Sequence, residues 1–184
     1  MEPETKKTIL ISIWCTAAVL LVGGAVWLWI YLAEFSSYHD NQYKFTVQYP
    51  VKWKKVEKFH GTAVTFIRPQ ETALDVVLPN VNITVQEVPD KIATMESFSQ
   101  TITKQMAAVF KNNINILEDK DATFAGRRAH RLVIVAPNPN HLKMTFIWTM
   151  KGPFAYIFTF MAQEAQYVKL SSTVKRMINS FELK

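Results

Sequence analysis

The chain has 184 residues, and its 21 lysines and arginines against 15 aspartates and glutamates give a formal net charge of +6. The single cysteine, Cys15, excludes an intramolecular disulfide framework. The first 33 residues contain two lysines and two glutamates, so the remaining chain keeps the whole net charge of +6. This remaining chain is also long enough to bury a hydrophobic core without disulfides.

An uncharged apolar run extends from Thr8 to Ala33, directly after Lys6 and Lys7 and directly before Glu34. As a helix, its roughly 26 residues would reach about 39 Å, more than the roughly 30 Å of a bilayer hydrocarbon core. A cleaved secretory signal is the alternative, but its apolar region is only about 7 to 15 residues long. The run therefore predicts an uncleaved transmembrane signal-anchor helix at 8–33.

The basic residues near this run predict its orientation. Lys6 and Lys7 flank its N-terminal end, whereas no lysine or arginine follows it until Lys44. Since positive charges favour the cytoplasmic side, residues 1–7 are expected in the cytoplasm and the C-terminal domain outside it, in a bacterial-type cytoplasmic or photosynthetic membrane. The lysines from Lys44 to Lys55 argue in the other direction. Aromatic residues expected at the membrane interface are Trp14, Trp27, Trp29 and Tyr31.

Residues 34–42 are polar and predict a short linker that holds the following domain near the bilayer. Alternating apolar and polar residues then predict three strands, each stopped by a proline. The intervening VKWKKVEKFHG segment is predicted to be a turn and irregular. The three strands are Tyr43 to Tyr49, Thr62 to Arg68, and Asn82 to Val88.

The second half of the chain contains both helical and strand patterns. Apolar residues at helical spacing predict an amphipathic helix over 95–112, with Thr94 or Ser97 as its N-cap, and a terminal helix over 165–180. Two hairpins are predicted between them, one around Gly126 and one around Gly152. Their strands are Ile114 to Thr123, Arg128 to Ala136, Leu142 to Met150, and Phe154 to Phe160. The order predicts an α+β domain with a central antiparallel sheet of about six to seven strands flanked by helices.

The start of this domain, YKFTVQYPVKW from Tyr43 to Trp53, resembles the Y-x-F-x-x-x-YP-x-x-W opening of the PsbP-like superfamily. GTAVTFIRP, NITVQEV, FAGRRAHRL and the closing NSFEL follow the order of that family across 43–184. The resemblance implies a sheet flanked by helices and a domain that acts by binding protein partners, without an enzymatic activity. The family includes extrinsic proteins of photosystem II and DcrB-like proteins of the bacterial envelope, and the expected anchor is a departure from them.

The sequence contains no recognisable catalytic motif. Its four histidines are far apart, and no metalloprotease, C-x-x-C, G-x-S-x-G or phosphate-loop pattern occurs. Glu118, Asp119 and Asp121 could contact a hard cation, but Lys120 lies among them and a solvated strand edge is favoured. We therefore predict no enzymatic activity, no cofactor and no metal site.

Two basic groups are candidate binding surfaces, with ordinary solvated surface as the alternative. Outside the cytoplasm they would contact anionic lipid headgroups or an acidic partner, and not nucleic acid. Strand alternation places Arg128 and His130 on one face and Arg131 on the other, which argues against a single patch there. The candidate residues are Lys52, Trp53, Lys54, Lys55 and Lys58, then Arg127, Arg128 and Arg131.

These observations predict a non-catalytic, membrane-anchored accessory or structural subunit. It would dock on the extracytoplasmic side of a membrane protein complex, of which a photosynthetic complex is one candidate. Its partners would be the membrane, through one spanning helix, and the other subunits of that complex. The alternative is an envelope module that binds a small apolar or lipidic ligand, a hypothesis suggested by the many aromatic residues of the sheet.

Overall fold

The computed structural model describes residues 19–27, 34–72, 77–89, 94–110, 114–136 and 141–184. The chain forms two compact units, Met1–Ser36 and Ser37–Lys184. In the first unit residues 19–27 are helical (α1), and Trp27 on this helix is exposed. Among the residues in these ranges, no helix is both long enough and apolar enough to span a membrane. The rest of the predicted 8–33 anchor, with Trp14, Trp29 and Tyr31, lies outside the described ranges.

The remaining elements comprise ten strands and two helices in the described part of the chain. The helices are α2 (Met95–Val109) and α3 (Glu164–Asn179). The strands are β1 (Phe35–Asp40), β2 (Phe45–Pro50), β3 (Lys54–Glu57), β4 (Val64–Ile67), β5 (Asn80–Glu87), β6 (Asn115–Phe124), β7 (Arg127–Ala136), β8 (Leu142–Lys151), β9 (Phe154–Gln163) and β10 (Glu182–Leu183).

Seven of the strands form one antiparallel sheet in the order β3-β4-β5-β9-β8-β7-β6. This confirms the predicted α+β class and the central antiparallel sheet. Both predicted hairpins are confirmed as β6–β7 and β8–β9. The first turns at Ala125 and Gly126, whose φ values of 52° and 68° suit the mirror-image turns of tight hairpins.

Four strands differ from the sequence prediction, and one of them, β10, was not predicted at all. β2 was predicted to belong to the central sheet, but it lies in a separate sheet of order β1-β2-β10. β1 falls within the predicted linker, and β3 falls within the segment predicted to be irregular. Both strands are short and lack the apolar alternation that predicts a half-buried strand, and β3 is mainly exposed.

Each face of the large sheet has its own core. On one face, Phe98 and Ile102 of α2 pack in a cluster with Leu132, Phe146 and Trp148. The N-cap prediction for α2 is confirmed, because Thr94 Oγ1 accepts a hydrogen bond from the Ser97 N–H at 3.2 Å. Along β9, aromatic residues alternate with the residues of this cluster and therefore point to the opposite face of the sheet. Helix α3 lies against that opposite face. Both faces are therefore covered, which leaves β3 and β6 as the exposed edges of the sheet.

Candidate functional site

The first predicted basic group lies on edge strand β3 and its flanking turns. Lys52, Lys54 and Lys58 are exposed, as the sequence analysis expects of a contact surface. Trp53 is different, because only 7 % of it is exposed and its backbone N–H donates to the Pro50 carbonyl at 2.9 Å. Its large apolar ring is therefore withdrawn from water, and the exposed lysines on either side of it are the accessible part of this group.

Lys55 of the same group is engaged within the domain. Its Nζ lies 2.8 Å from Glu57 Oε1 and 5.1 Å from the centroid of the Tyr38 ring. The hydrogen bond to Glu57 raises the pKa of Lys55, and burial raises the pKa of the Tyr38 phenol. The positive charge of Lys55 is thus balanced by Glu57. The uncompensated positive charge of this group comes from Lys52, Lys54 and Lys58.

Two large apolar side chains flank these lysines. Val51 is 52 % exposed and Phe59 is 44 % exposed. Within the described part of the chain, no carboxylate lies within ion-pair distance of the three uncompensated lysines. We call this set of residues the β3 surface: Val51, Lys52, Lys54, Lys58 and Phe59.

The second basic group does not form one patch. Arg128 lies 2.7 Å from Glu96 of α2 and 3.5 Å from Asp121, whereas Arg131 Nε lies 3.0 Å from Glu118 Oε2. Successive side chains of β7 point to opposite faces of the sheet, so these two arginines belong to different surfaces. Arg127 donates through Nε to the Met150 carbonyl at 3.1 Å. The separation of Arg128 from Arg131 follows the alternation in the sequence.

The acidic group of β6 is likewise paired with bases. His130 Nε2 lies 2.5 Å from Asp119 Oδ1, and its ring lies 5.0 Å from that of Trp148. Glu118 Oε2 lies 3.0 Å from Lys120 Nζ as well as from Arg131 Nε. No cluster of three or more His, Cys, Asp or Glu side chains in the described ranges could hold a metal ion. These contacts support the interpretation of the acidic group as a solvated strand edge.

We predict that Glu118 titrates below its ordinary pKa of 4.5. The hydrogen bond from Lys120 is the largest cause of this lowering, and the hydrogen bond from Arg131 adds to it, while burial acts in the opposite direction. Because the folded-state pKa is lowered, the carboxylate stabilises the fold above its unfolded pKa, and this contribution disappears as the pH falls through the folded pKa.

A carboxyl ¹³C NMR titration measures this effect. The midpoint for Glu118 should lie below 4.5, and Lys120→Gln should raise it more than Arg131→Gln does. The stability difference between the unmodified protein and Glu118→Gln should also shrink as the pH is lowered. A Glu118 midpoint at or above 4.5 in the unmodified protein would contradict both ion pairs.

Arg131 also lines a cleft that the sequence analysis did not predict. The cleft has a volume of about 560 Å³ and lies between α3 and the strands β6, β7 and β8. Lys143 and Lys175 line it as well, and Val133, Ile147 and Phe160 contribute apolar side chains from the sheet. Strand alternation placed Arg131 on the opposite face from Arg128, which was the one indication of this site in the sequence. The other lining residues are separated in sequence and come together only in the fold.

The fold and these surfaces define a small α+β domain with an antiparallel sheet covered by a helix on each face. The PsbP family model matches residues 33–183, and the chain therefore belongs to the PsbP family. This confirms the resemblance noted in the sequence. A comparison with curated proteins finds no match.

Solved structures of low sequence identity share this fold. Cyanobacterial PsbP (CyanoP) from Synechocystis sp. PCC 6803 is 15% identical with a TM-score of 0.60, over 83% of this chain and 94% of that protein. LpqN of Mycobacterium tuberculosis, described as involved in cell envelope biogenesis, is 10% identical with a TM-score of 0.58, over 82% and 90% of the two chains. The Saccharomyces cerevisiae Ran-binding protein Mog1p is 8% identical with a TM-score of 0.54, over 81% and 95%.

Proposed function

We propose that this protein is a non-catalytic accessory subunit, anchored by the helix predicted at 8–33, that docks through the β3 surface on an acidic face of a membrane protein complex. Membership of the PsbP family supports the accessory role. The single observation that carries the docking proposal is the β3 surface itself. It presents three lysines without a carboxylate partner in the described ranges, between two exposed apolar side chains.

The composition of the β3 surface favours binding over a purely protective role. Lysines on an edge strand often prevent edge-to-edge aggregation, and that role alone would explain Lys54. It would not explain Val51 and Phe59, because exposed apolar residues beside an open edge increase the aggregation that the lysines prevent. Basic and apolar groups together suit a partner with an acidic rim, which steers association, and an apolar contact that is buried on docking.

The expected site of action is the extracytoplasmic side of the membrane. Lys6 and Lys7 before the apolar run support this orientation. A photosynthetic complex is the first candidate partner, since the family is that of PsbP and the cyanobacterial protein of the same fold is itself a PsbP. An envelope complex is the second candidate, and the likeness to LpqN supports it.

The docking proposal predicts comigration with a larger complex. After gentle detergent extraction and native electrophoresis, the full chain should migrate with other subunits. The double variant Lys52→Glu with Lys54→Glu should lower the complex-bound fraction by roughly tenfold, because the reversed charges repel an acidic partner. The matched control is Lys104→Glu with Lys169→Glu, two exposed lysines of α2 and α3 outside the β3 surface. This control should leave the bound fraction unchanged.

Two results would contradict this proposal. Migration of the unmodified chain as a lone monomer would contradict docking itself. An equal loss of binding in the Lys104 and Lys169 control would show that net charge, and not the β3 surface, determines association. Circular dichroism of each variant confirms that the loss does not come from unfolding.

A further inference from the structure

The cleft beneath α3 combines an apolar floor with a cationic rim. We call it the α3 cleft. Val133, Ile147 and Phe160 form its buried floor on the sheet side, whereas Leu117 of β6 and Ile178 of α3 are its accessible apolar side chains. A volume of about 560 Å³ falls within the range of roughly 300 to 1,000 Å³ that is usual for small-molecule sites.

The charge of the α3 cleft is positive. Its lining contains three cations, Arg131, Lys143 and Lys175, and one carboxylate, that of Glu118. Glu118 is already paired, since its Oε2 lies 3.0 Å from Arg131 Nε and 3.0 Å from Lys120 Nζ. Neither Lys143 nor Lys175 has a carboxylate within ion-pair distance in the described part of the chain. Two ammonium groups at this cleft are therefore available to an anion.

The Tyr167 side chain beside Lys143 is held in place by a stacked ring and a hydrogen bond. The Lys143 Nζ lies 4.8 Å from the centroid of the Tyr167 ring, which stacks on Phe160 with 5.0 Å between ring centroids. The Tyr167 hydroxyl forms a hydrogen bond with Thr145 Oγ1 at 2.5 Å, and Thr145 is only 2 % exposed. An aromatic ring fixed on both sides positions the lysine before a ligand arrives, which lowers the entropic cost of binding.

We propose that the α3 cleft binds a single-chain amphiphile with an anionic head. The carboxylate or phosphate of the head lies between Lys143 and Lys175, and the hydrocarbon chain lies against Leu117 and Ile178. An inorganic anion would leave these two side chains exposed to water, and a neutral amphiphile would leave the lysines without a partner. An acidic peptide would match the charge, but it suits an extended groove or sheet edge better than a concave cleft of this volume.

Titration calorimetry of the full chain in nanodiscs of neutral phosphatidylcholine tests this site. The probes are laurate and monododecyl phosphate, with dodecanol as the neutral-head comparison and inorganic phosphate as the head without a chain. Heats from nanodiscs without protein are subtracted to remove partition into lipid. We expect both anionic amphiphiles, or one of them, to bind at least tenfold more tightly than dodecanol and inorganic phosphate. The preferred head distinguishes a fatty acid from a phosphorylated lipid.

Two variants locate the site. Lys143→Gln with Lys175→Gln removes both ammonium charges and should weaken anionic binding by roughly tenfold, as expected for two partly solvated ion pairs. Ser171→Trp adds bulk at an exposed, cleft-lining position of α3 without changing the charge, and should abolish binding of the chain. Lys104→Gln with Lys169→Gln matches the first variant in charge, lies outside the cleft, and should bind normally.

Several results would overturn the proposal. Equal affinity for dodecanol and laurate would remove the role of the lysines, and equal affinity for inorganic phosphate and monododecyl phosphate would remove the role of the accessible apolar side chains. Undiminished binding by both cleft variants would place the ligand elsewhere. Comigration of the Lys143 and Lys175 variant with the membrane complex is measured in parallel, and it tests docking independently of ligand binding.

Discussion

Replacement of Trp148 by alanine is expected to lower the free energy of unfolding by about 3 to 5 kcal/mol. Trp148 is 0 % exposed and lies in the cluster between the large sheet and α2. Its Nε1–H donates to Ser99 Oγ at 2.9 Å, and the His130 ring lies 5.0 Å from its own. Alanine would leave a cavity among Phe98 and Leu132, and it would remove the hydrogen bond that connects β8 with α2.

The measurement is urea unfolding of the full chain in mild detergent, followed by far-ultraviolet circular dichroism. Trp148→Phe keeps most of the ring volume and leaves Ser99 without its donor, so we expect a smaller loss of about 1 to 2 kcal/mol. Hydrogen exchange should show the largest loss of protection in α2, because the cavity lies beneath this helix. A loss below about 1 kcal/mol for Trp148→Ala would contradict the tight packing of this cluster.

The parts of the fold that the sequence predicts are those with long, regular patterns. β8 and β9 each have ten residues, and their alternation distinguishes the face around Trp148 from the face around Phe158. Helix α2 was predicted for the same reason, since its apolar spacing and its Thr94 cap agree. Local sequence determines these elements, so reasoning from local patterns finds them.

The missed strands are short, and their pairing partners, not their own sequence patterns, make them strands. β10 has two residues, and it pairs with β2 through Glu182 opposite Thr46 and Leu183 opposite Phe45. β3 has four residues, of which three are exposed, and it is a strand because β4 pairs with it. The partner of β10 lies near the start of the domain, and the exposed side chains of β3 show no apolar alternation, so pairing and not propensity decides both outcomes.

The candidate sites show a similar limit. The sequence identifies the lysines of the β3 surface correctly as exposed, because charged side chains rarely lose their water. It does not predict the burial of Trp53, and it cannot foresee that Glu96 compensates Arg128. The α3 cleft is missed because Arg131, Lys143 and Lys175 come from three different elements.

The order of the large sheet keeps the two proposed sites apart. β3 and β6 are its opposite edges, with five strands between them. The β3 surface lies at one edge, whereas the α3 cleft lies toward the other, beside β6, β7 and β8. A partner seated on the β3 surface would therefore leave the cleft accessible. The two proposed sites would therefore not compete for the same surface of the domain.

Replacement of Phe181 by alanine is expected to destabilise the domain by about 3 to 5 kcal/mol through its second core. Phe181 is 2 % exposed, and its ring stacks with Phe45 at 5.2 Å and with Phe124 at 4.6 Å between ring centroids. It lies between the C-cap of α3, Ser180, and β10, so it connects the end of the helix with the small sheet. Loss of the ring removes apolar contacts with β2 and β6 together.

Hydrogen exchange and urea unfolding of the full chain test this prediction. Phe181→Ala should lower protection most in β2 and β10, whereas Trp148→Ala should lower it most in α2. The control Phe181→Leu retains much of the apolar volume, and its expected loss is about 1.5 kcal/mol. Equal losses for the leucine and alanine variants, or uniform loss of protection across the domain, would show that the stacked rings do not hold the small sheet.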